Sequence, residues 1–288
     1  MADPFQPDTP HRNLAGKTML LGIGAQKAGT TWLDRYLRAA PEVYLPAIKE
    51  LHFFDSWLMP ERPPDFDAIF RQRLHALEAK GGKPTPELQT ARDRVLMIAD
   101  RAAYLKHFDN NVGPKHSVFG EITPAYAMLD AQGFRTVANL VAANGVALKL
   151  LFIMRDPIDR YFSALRMREK IDAEFSALDC FEAYLDDDGY VSRGRYDLTI
   201  QNLRAVFSPS NVHYAFYETL FTPGAIQAIT GFLGVPYRVP DFQKKILAGP
   251  VSRAPTPRQI ALAREKYEPV YAFCRREFGT LVPANWAP

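Results

Sequence analysis

The chain has 288 residues, 47% hydrophobic and 23% charged, enough for a full core and too apolar for wholesale disorder. A formal net charge of +3 excludes a dedicated nucleic-acid binder with a strongly basic face, though not a local basic pocket for a small anion. The two cysteines, Cys180 and Cys274, lie far apart, so neither a zinc site nor a disulfide framework can be read from them.

Residues 1–16 read as a flexible tail, polar and proline-bearing, without the apolar core of a signal peptide. No apolar run approaches the ~18 residues of a membrane span, so a soluble, cytoplasmic protein is expected. Residues 17–288 read as a single domain. Thr18–Ile23 is a continuous apolar run, as in a strand buried on both faces of a parallel sheet. The loop GAQKAGTT follows, then a helical pattern over Trp32–Ala40 that Pro41 stops. Val43–Leu45 is a short strand that leads into KELHFFD, Lys49–Asp55. Residues 57–116 read as a helical insertion over the sheet, with helices at Phe66–Lys80 and Glu87–Phe108 about a turn at GGKPTP.

Ser117–Ile122 and Ala147–Met154 are further strands, and Pro157 opens a helix running to about Ile171. Val212–Tyr217 is another strand, Pro223–Leu233 a helix closed by Gly234, and Pro257–Phe278 the last helix. The alternation predicts an α/β fold, a central, mainly parallel sheet flanked by helices.

Gly24–Thr31 sits where a phosphate cradle forms, between a buried strand and a helix N-terminus. The glycine spacing is that of a nucleotide-triphosphate loop, but Thr30-Thr31 stand where its lysine and hydroxyl would be, and the lysine, Lys27, lies inside the loop. No metal-holding Asp accompanies it. This suits a ligand with one 5′-phosphate and a charged leaving segment. A second anion motif is RDPIDRYFSAL, in which Arg155 ends a strand and Ser163 follows eight residues on, a fork and a hydroxyl able to clamp a phosphate. In KELHFFD an extended backbone would put Glu50 and His52 on one side and Leu51 and Phe53 on the other.

QKAGTTWL resembles the 5′-phosphosulfate loop of sulfotransferases that use 3′-phosphoadenosine-5′-phosphosulfate (PAPS), and RDPIDRYFSAL resembles their 3′-phosphate motif. The resemblance implies a P-loop, nucleoside-kinase-like sulfotransferase fold and PAPS as donor, without a metal. It implies that Lys27, Ala28, Gly29, Thr30, Thr31 and Trp32 bind the 5′-phosphosulfate, partly through backbone amides, and Arg155 and Ser163 the 3′-phosphate, Arg160 being structural. SRGRYDLTIQNL is similar to a segment of carbohydrate sulfotransferases and brings in Tyr196; SRAPTPR resembles the loop that closes over the nucleotide and brings in Arg253. FYETLFTPGAIQAITGFLGVP also resembles a family segment.

KELHFFD resembles the segment of heparan-sulfate-type enzymes that carries the catalytic glutamate. That makes Glu50 the base and His52 its assistant or, as in small-molecule sulfotransferases, the base itself. Lys27 then serves as donor to the leaving oxygen. GEITPAYAML resembles a segment beside the acceptor, with Ile122 in place of the usual lysine, which counts against an acidic polysaccharide; Glu121 is left to shape the acceptor pocket. The expected partners are PAPS, its product PAP and a hydroxyl- or amine-bearing acceptor. The alternatives are a nucleotide kinase or NTPase on the same scaffold, which the absent G-K-[ST] disfavours, and a nucleotide-binding homologue without turnover.

Overall fold

The computed structural model describes residues 11–62, 64–242 and 253–286. Its centre is a five-stranded sheet in the order β2-β3-β1-β4-β5, parallel at every pairing. The strands are β1 (Thr18–Gly24), β2 (Val43–Tyr44), β3 (Val118–Ile122), β4 (Ala147–Met154) and β5 (Val212–Phe216). All five residues of β3 and the last five of β4 are buried, because helices cover both faces. That is why neither strand shows the regular polar–apolar alternation of a half-exposed one.

The helices are α1 (Thr30–Arg38), α2 (Phe53–Leu58), α3 (Phe66–Glu78), α4 (Pro86–Ala99), α5 (Ala102–Asn111), α6 (Ala131–Ala143), α7 (Pro157–Glu169), α8 (Asp188–Val191), α9 (Tyr196–Arg204), α10 (Tyr217–Leu220), α11 (Pro223–Leu233) and α12 (Pro257–Phe278). Helix α7 starts at Pro157 with Asp156 as its cap, and Gly234 closes α11 at φ 72°. The expected helix over Glu87–Phe108 is two, α4 and α5, broken where Asp100 turns extended.

Of the tail expected over 1–16, residues 1–10 lie outside the described residues. Its end is anchored: Leu14 is buried, and the Asn13 amide donates to Asp109 Oδ1 at 2.8 Å.

Candidate active site

In a parallel sheet the carboxyl ends of all strands open on one edge, and the loops after β1 and β4 meet there as neighbours. The loop after β1 runs into α1, whose cap is Gly29 at φ 80° with no side chain satisfying the first turn. A Cβ at Gly29 would stand 3.0 Å from Leu220 and 3.1 Å from the Tyr217 ring, so the position has neither room nor backbone for another residue. The amides of Lys27, Gly29, Thr30 and Thr31 find no acceptor among the described residues. Unsatisfied amides at a helix start form a concave anion cradle.

Arg155 closes that cradle from β4. One guanidinium nitrogen donates to the Lys27 carbonyl at 3.1 Å, the group lies over the Tyr217 ring at 4.7 Å, and its Nε is buried without a partner. The surface alternative for Arg155, a pair with Asp159, is only a 3.9 Å contact. Lys27 reaches Met167 Sδ at 3.4 Å, a weak acceptor. Burial, then the charges of Lys170, Arg155 and Arg166, press its ammonium below the ordinary value, and Glu50 draws it partly back. Mutual repulsion among these cations is what a bound polyanion would relieve.

Of the other sequence-predicted binders, several are packed or already bonded. Ala28 is fully buried and its amide already donates to Ala25 at 3.2 Å, so it has nothing left to offer a ligand. Trp32 gives its amide to Gly29 and is packed against Tyr36, Phe221 and Phe242. Tyr196 is fully buried and acts through Arg155: its hydroxyl donates to the Arg155 carbonyl at 2.8 Å. Thr30 is buried in the first turn. Ser163 is half-buried on α7. Arg253 lines a cavity of about 280 Å³ with Phe162 and Glu169 of that same helix. Arg160 is fully buried and bonded to the Tyr190 carbonyl at 2.5 Å.

The segment after β2 is not extended. Glu50 and His52 both take left-handed backbone, at φ 64° and 55°, and α2 starts directly after them. What imposes this is a buried network beneath. Glu121 on β3 accepts from the Leu51 amide at 3.0 Å, Thr123 Oγ1 at 2.5 Å, Tyr126 Oη at 2.7 Å and Tyr104 Oη at 2.9 Å. Tyr126 Oη in turn accepts from the Phe53 amide at 3.1 Å. Glu121 is therefore a girder, not a wall of the acceptor pocket. Burial pushes its carboxyl up against the pull of those hydrogen bonds. Ile122, next to it, is buried against Gly22, where a Cβ would come within 2.7 Å of it. That environment holds no place for a cation.

Although the backbone differs, Glu50 and His52 do meet. His52 Nε2 lies 3.6 Å from Glu50 Oε2, and Nδ1 bonds Asp55 Oδ2 at 2.7 Å. Lys49 Nζ holds the other Glu50 oxygen at 2.5 Å. Burial raises the Glu50 carboxyl, but hydrogen bonds and charge from His52 and Lys49 outweigh it and bring it to about 2. Burial lowers His52, but Asp55 and Glu50 outweigh it and raise the imidazole. The ring stacks on Phe66 at 4.2 Å.

Two side chains beside Glu50 and His52 escaped sequence reasoning. Asp55, three residues after His52, is the natural partner of its Nδ1, a spacing visible in KELHFFD. Arg193 is desolvated, which lowers its guanidinium; Arg160 adds to that, and the charges of Asp55 and Glu50 oppose it. No local pattern marked Arg193. Among the described residues no group of three His, Cys, Asp or Glu side chains is placed to hold a metal ion, and no helix is long and apolar enough to cross a membrane.

The sulfotransferase family model matches residues 20–239. What matches is the family as a whole, not the heparan-sulfate subtype that KELHFFD resembles. A sulfotransferase from Alicyclobacillus acidocaldarius shares the fold at a TM-score of 0.64 and 23% identity, over 96% of this chain and 100% of that one. The sulfotransferase domain of the Synechococcus PCC 7002 olefin synthase reaches 0.46 at 17% identity, over 90% and 96% of the two chains. No curated protein sequence matches.

Proposed function

Since the chain belongs to the sulfotransferase family, we propose that it transfers a sulfuryl group from PAPS to a hydroxyl or amine of an acceptor. The observation that carries this is the convergence of Lys27, Arg155 and unpaired loop amides at adjacent strand ends, with an orphaned buried nitrogen on Arg155. That set fits a ligand with separated phosphate charges. PAPS would supply the activated sulfuryl group and a phosphate leaving group. Lys27 stabilises charge on the oxygen bridging to the leaving phosphate, and the loop amides fix its line of departure. Arg155, with Ser163 and Arg253, recognises the 3′-phosphate.

Glu50 is ionised throughout the ordinary pH range and takes the acceptor's proton. At about 2 it is a weak base; expulsion of water as the acceptor binds raises it towards a useful value. His52 as the base is a second reading, favoured by its bond to Asp55, which would hold the Nδ1 proton and turn Nε2 to the cleft.

Calorimetric titration with adenosine 3′,5′-bisphosphate, 5′-AMP and ATP-Mg tests the donor. Tight bisphosphate binding that weakens sharply without the 3′-phosphate is expected. Preference for ATP-Mg would replace this reading with a kinase.

A further inference from the structure

Outside the phosphate cradle the most unusual charge is Arg94. It sits on α4, is 3% exposed, and its Nε has no hydrogen-bond partner among the described residues. Its guanidinium lies on the face of Phe70, 3.7 Å from the ring centre. It borders a cavity of about 280 Å³ between α3 and α4, lined also by Arg73, Lys80, Ile48, Phe70, Leu77 and Ala91, with no acidic residue on its wall. Three of the hairpin's carboxylates are engaged elsewhere. Glu78 pairs with Arg92, Asp67 with Arg71, and Asp93 with His107.

An isolated buried charge is strongly disfavoured unless a counter-charge is supplied. Here burial first, and the Arg73 charge second, bring the Arg94 guanidinium down to about 10, outweighing the opposing pull of the Glu121 and Glu50 carboxylates, neither of which lines the hollow. The fold thus holds three cations around an apolar hollow, the deepest of them unsatisfied. The hollow also adjoins the reacting segment. Ile48 lies two residues before Glu50, and the Phe70 ring is 6.3 Å from that of His52.

We propose that this cavity binds an amphipathic anion, its acidic head paired with Arg94 and Arg73 and its apolar body along Phe70, Leu77 and Ala91, and that the anion is the sulfuryl acceptor. The acceptor half rests on the transfer activity proposed above; the anion site does not. The acceptor is thereby a hydroxylated organic acid of modest size, whose head is gripped beside α4 while its hydroxyl reaches Glu50. Phe70 then serves two faces, stacking under Arg94 and bordering His52.

The test is calorimetry with octanoate and octanol, each with and without adenosine 3′,5′-bisphosphate. Octanoate should bind better than octanol. Arg94→Gln should weaken octanoate about tenfold or more, leaving octanol and the bisphosphate unchanged. Because Arg94 is buried, the exposed pair Arg73→Gln and Lys80→Gln serves as a second variant that folding should tolerate, with the same selective loss. Equal binding of acid and alcohol, or octanoate affinity untouched in both variants, overturns the site. Loss of bisphosphate binding by wild type with octanoate retained overturns the donor reading alone. Sulfuryl transfer to 8-hydroxyoctanoate should exceed that to octane-1,8-diol; equal rates, or none with the acid, overturn the acceptor role.

Discussion

The two halves of the cleft are built by different means. The donor half is made of backbone: a glycine-bearing turn, a helix start and one arginine at a strand end, all contiguous with β1 or β4. The acceptor half is made of side chains brought from β3, α2, α3, α4 and the turn at Tyr126, with Glu121 tying several of them to one carboxylate. The first is rigid by local geometry and interchangeable with other loops of its kind. The second depends on a buried polar network, which is weakened whenever one member is left unpaired.

The sharpest way to separate the halves is to remove their charges one at a time. Lys27→Ala should lower turnover by roughly 10²–10³-fold, since it withdraws a donor aimed at developing charge. Arg155→Ala should act on binding instead, weakening adenosine 3′,5′-bisphosphate by about 1.5–3 kcal/mol in calorimetry, the range for charged hydrogen bonds. If Arg155→Ala kept full bisphosphate affinity, the division into leaving-group and 3′-phosphate roles would be lost. Neither change should alter octanoate binding.

Protonation distinguishes the two halves again, because Glu50 and His52 are coupled while the donor side carries fixed cations. Glu50 is held down at about 2, so its contribution to stability is present above its unfolded value of 4.5 and is lost as pH falls towards 2. His52 is raised above 6.5, so its contribution is present below 6.5 and is lost as pH rises through the raised value. The pair is therefore most stabilising between about pH 4.5 and 6.5. Urea titrations across pH should place a maximum there, and Glu50→Gln should flatten both limbs. In activity, Glu50 as base predicts a kcat/KM flat above pH 5 in wild type, since that ratio reports the free enzyme, and near-complete loss in Glu50→Gln. His52 as base predicts a rate that climbs through the raised imidazole value and survives Glu50→Gln in part.

A smaller effect is expected from the network below. Tyr126→Phe deletes the hydroxyl that bridges Glu121 and the Phe53 amide, at a cost of about 1–3 kcal/mol for the groups left unpaired. Bisphosphate affinity should stay at the wild-type value while turnover falls, since only the seat of Glu50 and His52 is loosened. A parallel fall in bisphosphate affinity would mean the two halves share their support.

The same contrast explains what the amino-acid sequence disclosed. The strands, the helix starts at Pro157, Pro223 and Pro257, and the glycine-bearing turn between β1 and α1 were legible because each depends on residues adjacent in the chain. Lys27 and Arg155 came with them. The conformation of Lys49–Asp55 was not legible. Its alternation suggested extended backbone, but hydrogen bonds from Leu51 to Glu121, 70 residues on, override that local preference. Glu121 was assigned to the acceptor pocket because its neighbours in sequence resemble an acceptor segment; its burial beneath Leu51 makes it a support for that segment instead. Tyr196 was taken for a ligand contact because a motif names residues without saying which ones touch. Arg94 carried no local signal at all, since an arginine on a charged helix reads as surface until a second helix covers it.

The mildest perturbation probes the helix that carries Arg94. Thr85 caps α4, its Oγ1 accepting from the Leu88 amide at 3.2 Å ahead of Pro86. Thr85→Ala should cost about 1 kcal/mol, the ordinary value of a lost cap. Because α4 packs on α3 at the sheet's periphery, the loss should fall on the hairpin: faster amide exchange in Leu88–Arg92, with β1 and β4 protected as before. Octanoate affinity should drop slightly, as Arg94 is carried by the loosened helix, and bisphosphate affinity should not move. An equal rise in exchange through β1 would mean that the hairpin unfolds only with the whole domain, and that the acceptor half is as firmly built as the donor half.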